Sequence, residues 1–479
     1  MIVPIPFARL QDDEAIYYVK AKELVDNLKI PVHRGSTVVP FLLWAPAIML
    51  NDSILSMRVV TALLVILTAI LVYFIALKLF DPSSALTSSL LYLFFFQVLR
   101  FGTRAMLDPF GAFFAVLSLF LLINRKPALS GSSFSLAAYS YQFWIPMYPL
   151  YLLQAYKRRL SLKRFLLASL LTASSLQTLI FTQHGLEALK SFIEVGGPSY
   201  VLLAPSWLSY SNLMGILQGW LEFSVFALLS LIGLLVGLRL NPAKWLLSFV
   251  ALQSLFISLC PDFALYGGAT HYPYGLCPLL ALAGGYGLPT VWCALKKRGS
   301  KTYSIILLVV LLIQFLLFNY LATSLSLRAK GIYDVGYEYD VKAMEALREM
   351  DNGGLIIGQT THGLLVDKDR FIWRGSLELN PQIFMAYKTD VTFKAPLPET
   401  LRVIEIGPYV IIGAPEGEKL SEYVNFSQSQ LWAFRSSSVN VNLLFTVVAA
   451  TISLTLILIL FLGLRIKPPL ENKVSPSIL

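Results

Sequence analysis

The sequence predicts an α-helical polytopic membrane protein that carries a small extracytoplasmic α/β domain. Three observations lead there. The chain is 56% hydrophobic and only 14% charged over 479 residues, whereas a soluble domain carries about 25% charged residues. Several apolar runs reach the roughly 20 residues that cross a bilayer. One stretch, 326–438, breaks the pattern: it is polar, and its short apolar runs have the length and composition of strands.

Residues 1–56 read as a first extracytoplasmic segment. Met1 to Leu10 is apolar but too short to span a bilayer or to act as a full signal sequence. The acidic run Asp12-Asp13-Glu14 then opens an amphipathic helix at about 13–28. Its apolar face is Tyr17, Ala21, Leu24, Val25 and Leu28. A second apolar stretch, 38–50, holds Pro40, Trp44 and Pro46; it is too short to span and is expected at the membrane interface.

The transmembrane core covers 57–325. Spans are expected near 57–79, 84–99, 107–123, 165–181, 213–238, 245–261, 273–295 and 303–325. The stretch 134–155 is apolar but broken by Pro146 and Pro149, so it reads as a pair of short helices. In 326–438 a helix at about 340–350 precedes strand-like runs at 355–358, 371–373 and 402–406. Gly407-Pro408 separates the last of these from 409–412, a hairpin signal. Residues 439–479 hold a final span near 440–464 and a basic tail.

The net charge of +10 follows this topology. With the acidic segment outside, the short inner loops and the tail collect Lys78, Arg125, Lys126, Lys157, Arg158, Arg159, Lys163, Arg164, Lys296 and Lys297, among others. The short outer loops hold Arg100, Arg104 and Lys190. That is the positive-inside pattern, and it holds when 134–155 enters and leaves on the inner side. The basic balance is therefore topological and does not call for nucleic acid. Cys260, Cys277 and Cys293 are odd in number and sit in apolar surroundings. They read as small packing residues, with no disulfide framework or metal cluster.

Carboxylates at a membrane's edge need a reason. The plain reading of Asp12, Asp13 and Glu14 is a helix start, where acids favour the positive end. Asp108-Pro109 has the form of an N-cap followed by proline, and Asp81-Pro82 shows the same device at an inner helix start. Arg100 and Arg104 suit snorkelling to outer headgroups, and His271 suits an ordinary interfacial position. Glu222 lies about nine residues into its span. An acid there either lines a functional cavity or reaches interfacial water, and the residues alone leave both open.

Taken in order, however, these residues resemble a family. The order is DDEAIYYVKAKELV, then Pro40 and Trp44, then Met57-Arg58-Val59 opening a span, then Leu79-Phe80. Thr103-Arg104-Ala105-Met106-Leu107-Asp108 follows, and later His271-Tyr272-Pro273 with Pro278. The set resembles GT-C glycosyltransferases, polytopic enzymes that use polyprenyl-phosphate sugars. By pattern the nearest are the dolichyl-phosphate-mannose protein mannosyltransferases and the bacterial aminoarabinose transferase of lipid A. The resemblance covers about 1–300; the outer α/β domain agrees only in position.

The resemblance implies a GT-C core in a multi-pass protein of the cell membrane, with its active site on the extracytoplasmic face. It implies inverting transfer of a hexosyl or pentosyl group from a polyprenyl-phosphate donor to a hydroxyl of a protein, glycan or lipid acceptor. Asp13 is then the general base, with Glu14 and Asp12 orienting it or holding a cation, and Asp108 joins the site. Arg104, Arg58, His271 and Arg34 face the donor phosphate, and Glu222 and Tyr272 line the lipid cavity. Asp13 and Asp108 are expected to converge on one cavity with Arg104 at its rim. The resemblance leaves open whether Mg or Mn is required. No Gly-rich nucleotide loop is present, which suits a lipid-linked donor.

The chain departs from the family in two places. Close relatives carry a basic residue where Val39 stands, with His33 and Arg34 nearby in sequence. Family members also have a span before the acidic motif, so an upstream apolar stretch of about 15–30 residues is expected. The alternative reading is a polytopic transporter of a polar or lipid-linked substrate, with Asp108, Glu222 and Arg104 as coupling charges. Asn51-Asp52-Ser53 and Asn425-Phe426-Ser427 are glycosylation triplets on the outer side of this topology.

Overall fold

The computed structural model describes residues 12–31, 37–186, 216, 241–258, 271–297 and 337–426, apart from 352, 359–361, 368, 374–376, 380, 389–390, 395–396, 408 and 416–417. Helix α1 (Asp12–Asn27) is the amphipathic helix read from the sequence. Tyr17, Ala21 and Leu24 are buried and Val25 is half-buried. Leu28 is a correction: it lies past the helix end with φ 53° and is 76% exposed. The left-handed turn carries it off the apolar face.

Helix α2 (Val39–Leu50) starts with Pro40 in its first turn, where no N–H is missed. It packs between α1 and α3 (Ile54–Leu79). Trp44 is fully buried. It stacks on Tyr17 at 6.1 Å, meets Phe110 edge-on at 4.9 Å, and donates its indole N–H to Thr61 at 3.2 Å. Trp44 is thus a centre of packing within the helical unit.

Ser53 caps α3, accepting the Leu55 N–H at 3.1 Å. One face of α3 is buried, while Val59, Leu63, Leu67, Ile70, Phe74 and Leu77 form an exposed apolar stripe at helical spacing. Two described helices, α3 and α9 (Leu162–His184), are long and apolar enough to cross a membrane. The span expected at 84–99 is two helices, α4 (Pro82–Phe94) and α5 (Phe96–Phe101), because Phe95 takes ψ 136° and breaks the run. Helix α6 (Asp108–Ile123) follows.

The stretch 134–155 is broken as expected. It holds the end of α7 (Pro127–Ala138), a 3₁₀ turn at Gln142–Met147, and α8 (Tyr148–Lys157). Helix α10 (Asn241–Ser258) and then α11 (Cys277–Lys297), entered through a 3₁₀ turn at Tyr272–Leu276, complete the described helical part. The spans expected at 303–325 and 440–464, and all but Ile216 of 213–238, lie outside the described residues.

Small residues close the helix contacts. Ser118 and Ser130 bond each other at 3.0 Å between α6 and α7, Ser135 and Ser169 at 2.8 Å between α7 and α9. Small hydroxylic residues let the helix backbones approach closely and bond across the crossing. Cys277 is buried and its Sγ lies 3.7 Å from the Pro273 carbonyl, a packing role.

The α/β unit contains a five-stranded sheet ordered β2-β1-β3-β6-β5. Its strands are β1 (Ile356–Gly358), β2 (Phe371–Trp373), β3 (Ile383–Tyr387), β5 (Arg402–Ile406) and β6 (Tyr409–Gly413). A second pair joins β4 (Val391–Phe393) and β7 (Val424–Phe426). The expected hairpin is present: β5 and β6 pair antiparallel with Ile406 opposite Tyr409, and Gly407 takes φ 52° in the turn. Side chains alternate across the sheet. Ile356, Ile383, Met385, Tyr409 and Ile411 pack on α12 (Tyr337–Met350). Ile357, Phe384, Val410 and Ile412 pack on Leu420 and Val424 beyond the other face. A short helix, α13 (His362–Val366), places Leu365 against Ala15 and Ile54 beside α1.

Candidate functional site

The site is built on the first turn of α1. Glu14 is fully buried; Asp13, one residue earlier, is half-buried. Arg58, in the first turns of α3, is also fully buried. Its Nε donates to Glu14 Oε1 and its Nη2 to Oε2, both at 2.8 Å. This fork geometry suits guanidinium and carboxylate. The Ala105 backbone N–H adds a third bond to Glu14 Oε1 at 2.8 Å. Burial pushes the Glu14 carboxyl up. The Arg58 charge and hydrogen bond, with the Arg104 charge and the Ala105 N–H, outweigh it and hold the group below its ordinary value.

Arg58, expected at the donor phosphate, is therefore directed to Glu14 from a wholly enclosed position. Arg104, between this pair and Asp108 in sequence, is half-buried and close enough for its charge to bear on Glu14.

The segment 102–108 carries the second centre. Gly102 sits so close to α3 that a Cβ would lie 2.9 Å from Val65 Cγ2 and 3.3 Å from the Tyr274 hydroxyl. Turns at Phe101–Arg104 and Arg104–Met106 then bring the chain to α6. Asp108 was expected to cap that helix, and the structure corrects this. Leu107 occupies the cap position and no side chain caps the helix. The Asp108 carboxylate is 1% exposed, and His271 Nδ1 lies 3.0 Å from its Oδ1 and 3.1 Å from its Oδ2. Asp81, in the same Asp-Pro setting, does cap, accepting the Ser84 N–H at 3.0 Å.

The two centres are close. Ala105 is tied to Glu14 and Asp108 is three residues on, so at most about 11 Å of extended chain separates the two anchor points. Phe101 and Tyr141 flank the His271 ring with centroids at 5.9 and 6.4 Å, and Tyr272 stacks on it at 4.4 Å. Tyr272 is buried and also meets Phe143 at 5.7 Å. Gly111 allows the 141–144 turn to approach α6, since a Cβ there would lie 2.7 Å from Tyr141 Cβ and 2.9 Å from Trp144 Cδ1.

Sequence reasoning missed Phe101, Tyr141 and the Ala105 N–H. The first two are single aromatics among many, and a backbone donor leaves no trace in a sequence. Arg34 and Glu222 lie outside the described residues, as do His33, Met1 to Leu10, and the side chains of Asp12 and Arg100. Among the described residues no three His, Cys, Asp or Glu side chains gather as a metal site. Glu14 is committed to Arg58 and Ala105, and Asp108 to His271, so no cation ligand set is assigned.

The sequence profile of the family described as dolichyl-phosphate-mannose-protein mannosyltransferase matches residues 35–180. That range includes Arg58, Arg104 and Asp108. The fold is similar to that of ArnT from Cupriavidus metallidurans bound to undecaprenyl phosphate, with TM-score 0.51 and 13% identity, over 87% of this chain and 96% of that one. The apo state of that ArnT gives TM-score 0.50 and 12% identity, over 86% and 95% of the two chains. The oligosaccharyltransferase AglB from Archaeoglobus fulgidus, in complex with an inhibitory peptide and a dolichol-phosphate, is similar over 79% of this chain and 66% of that one, with TM-score 0.49 and 13% identity. No curated protein sequence matches the chain. The resemblance to GT-C polyprenyl-phosphate-sugar glycosyltransferases read from the sequence stands, on a family profile and on a fold.

Proposed function

We propose that the protein is a multi-pass membrane glycosyltransferase that moves a sugar from a polyprenyl-phosphate donor to an acceptor hydroxyl on the extracytoplasmic face. One observation carries this reading. Glu14 is spent on Arg58 and Ala105, which fixes the first turn of α1 beside the Asp108–His271 pair and leaves its neighbour Asp13 half-buried at the same end. The acidic segment thus divides its work: Glu14 positions and Asp13 reacts.

In the proposed reaction the acceptor oxygen attacks the anomeric carbon and the bond from that carbon to the phosphate oxygen breaks. Asp13 takes the acceptor's proton as the new bond forms. The polyprenyl phosphate leaves with the electron pair. Charge growing on that phosphate is met by Arg104 and by His271, whose ring orientation is set by Asp108. Arg58 acts through Glu14 as a positioning residue. The exposed apolar stripes of α3 and α9 are surfaces that lipid would cover. The α/β unit, resting on α1 through Leu365, belongs on the same side as the acidic segment.

The test is direct. The protein, reconstituted in lipid, is given a polyprenyl-phosphate mannose and, in parallel, a polyprenyl-phosphate aminoarabinose with a hydroxyl acceptor. Release of free polyprenyl phosphate from one donor, dependent on the acceptor, is expected. No release from either, by protein that binds polyprenyl phosphate, would overturn the reading.

A further inference from the structure

At the opposite end of the helices from Asp13, two turns meet. Residues 109–186 hold seven lysines and arginines and no aspartate or glutamate. The cations fall at only two places, the α6–α7 turn (Arg125, Lys126) and the α8–α9 turn (Lys157, Arg158, Arg159, with Lys163 and Arg164 just beyond). The turns are built alike. The Arg125 N–H returns to the Leu122 carbonyl at 3.1 Å and the Lys126 N–H to Leu121 at 2.9 Å. The Arg159 N–H returns to Tyr156 at 2.9 Å and the Leu160 N–H to Ala155 at 2.9 Å. Each is the double-bonded helix stop in which glycine usually takes the left-handed position. Here arginine takes it twice, with φ 59° at Arg125 and 53° at Arg159.

Positive-inside topology needs the charges on one side; it does not need them gathered or held in a strained backbone. They are gathered. Arg158 is half-buried, and burial followed by the Arg125 charge pushes its guanidinium down from the ordinary value. Among the described residues none of the seven has an acidic partner in an ion pair. Lys163 and Arg164 stand in the first turn of α9, the positive end of the helix. Asp81, an acid of the neighbouring α3–α4 turn, is occupied in capping α4. Beside the α8–α9 turn is a cleft of about 450 Å³ lined by Tyr156, Lys157, Arg159, Leu160 and Leu162. One turn further along α9, Leu166, Leu167, Leu170 and Leu171 are exposed.

We infer that this cleft is a binding site for an anionic phospholipid of the inner leaflet. Its phosphate sits among the lysine and arginine side chains, and its acyl chains lie along the leucine stripe of α9. The leucines favour lipid over a free phosphate, and basic pockets between helices at the cytoplasmic surface are suited to anionic headgroups. The inference rests on the membrane placement proposed above.

The test uses the full chain in nanodiscs of phosphatidylcholine mixed with phosphatidylglycerol, reading the lipid retained by the protein after detergent extraction. Entry into nanodiscs is itself the check on membrane placement; a chain that stays soluble without detergent overturns that reading separately. Wild type should retain phosphatidylglycerol over phosphatidylcholine. The double variant Lys157→Gln/Arg159→Gln, which removes both cations lining the cleft, should lose that preference by about tenfold or more, with an unchanged melting temperature. Lys296→Gln/Lys297→Gln, which removes the same charge elsewhere on the inner side, should keep it. Equal loss in both double variants would reduce the effect to general surface potential and overturn the site. Binding of inorganic phosphate with no preference for the anionic lipid would overturn the lipid assignment.

Discussion

His271 Nδ1 lies 3.0 Å from Asp108 Oδ1, joining the entry to α11 to the first turn of α6 across 163 residues of sequence. The contact takes Asp108 out of helix capping and gives it a partner that sequence spacing does not suggest. Asp108→Asn should retain the fold while losing ring orientation, lowering transfer by about 10–100-fold. Asp81→Ala, which removes a true cap, should cost about 1 kcal/mol of stability and leave transfer unchanged. Parallel rate and melting measurements on the two variants check this; equal rate losses would mean that Asp108 acts only through stability.

The Glu14–Arg58 pair makes a second prediction. Breaking a buried ion pair leaves one charge unpaired, so Glu14→Gln or Arg58→Met should each destabilise by about 3–5 kcal/mol. The double variant Glu14→Leu/Arg58→Met removes both charges and should recover most of that loss. Thermal melts in detergent decide it. The recovered fold should still transfer poorly, because the Ala105 N–H would have lost the carboxylate that holds 102–108 to α1.

Acid should act through the same pair. The Glu14 carboxyl is held below its ordinary value in the fold. Its contribution is therefore fully present above the unfolded value of about 4.3 and is lost as pH falls through the folded one. Melting temperature should stay level from neutral pH to about 5 and decline below the unfolded value. The decline should be shallower in the Glu14→Leu/Arg58→Met variant. An identical acid limb in both proteins would place the sensitive group elsewhere.

These particulars show what the sequence carried and what it did not. The long helices α3 and α9 were legible because each is a long, largely apolar run that no glycine or proline interrupts. The β5–β6 hairpin was legible from Gly407 between two β-branched runs. The central strand β3 was not, since a five-residue apolar run has no period to separate strand from buried helix. Asp81-Pro82 and Asp108-Pro109 look the same in sequence, and only tertiary contact sends one to its own helix and the other to His271. The acidic motif pointed to the right turn of α1. Which of its acids is buried against Arg58, 44 residues away, depends on packing alone.

Orientation is tested from outside the cell. In a chain whose three cysteines are replaced by alanine, Glu399→Cys on the exposed surface of the α/β unit should react with a membrane-impermeant maleimide in intact cells. Leu160→Cys and Gly299→Cys should react only after the membrane is opened. Labelling at 160 or 299 in intact cells would reverse the topology and put the acidic segment inside.

The central claim is that Asp13 takes the acceptor's proton while Glu14 only positions it. The measurement that tests it most directly is single-turnover transfer by Asp13→Asn, with binding of polyprenyl phosphate followed on the same protein. The amide keeps size and hydrogen bonding but removes the base. Transfer should fall by about 10²-fold or more with lipid binding and melting temperature unchanged. Turnover at the wild-type rate by a folded Asp13→Asn protein would contradict the account.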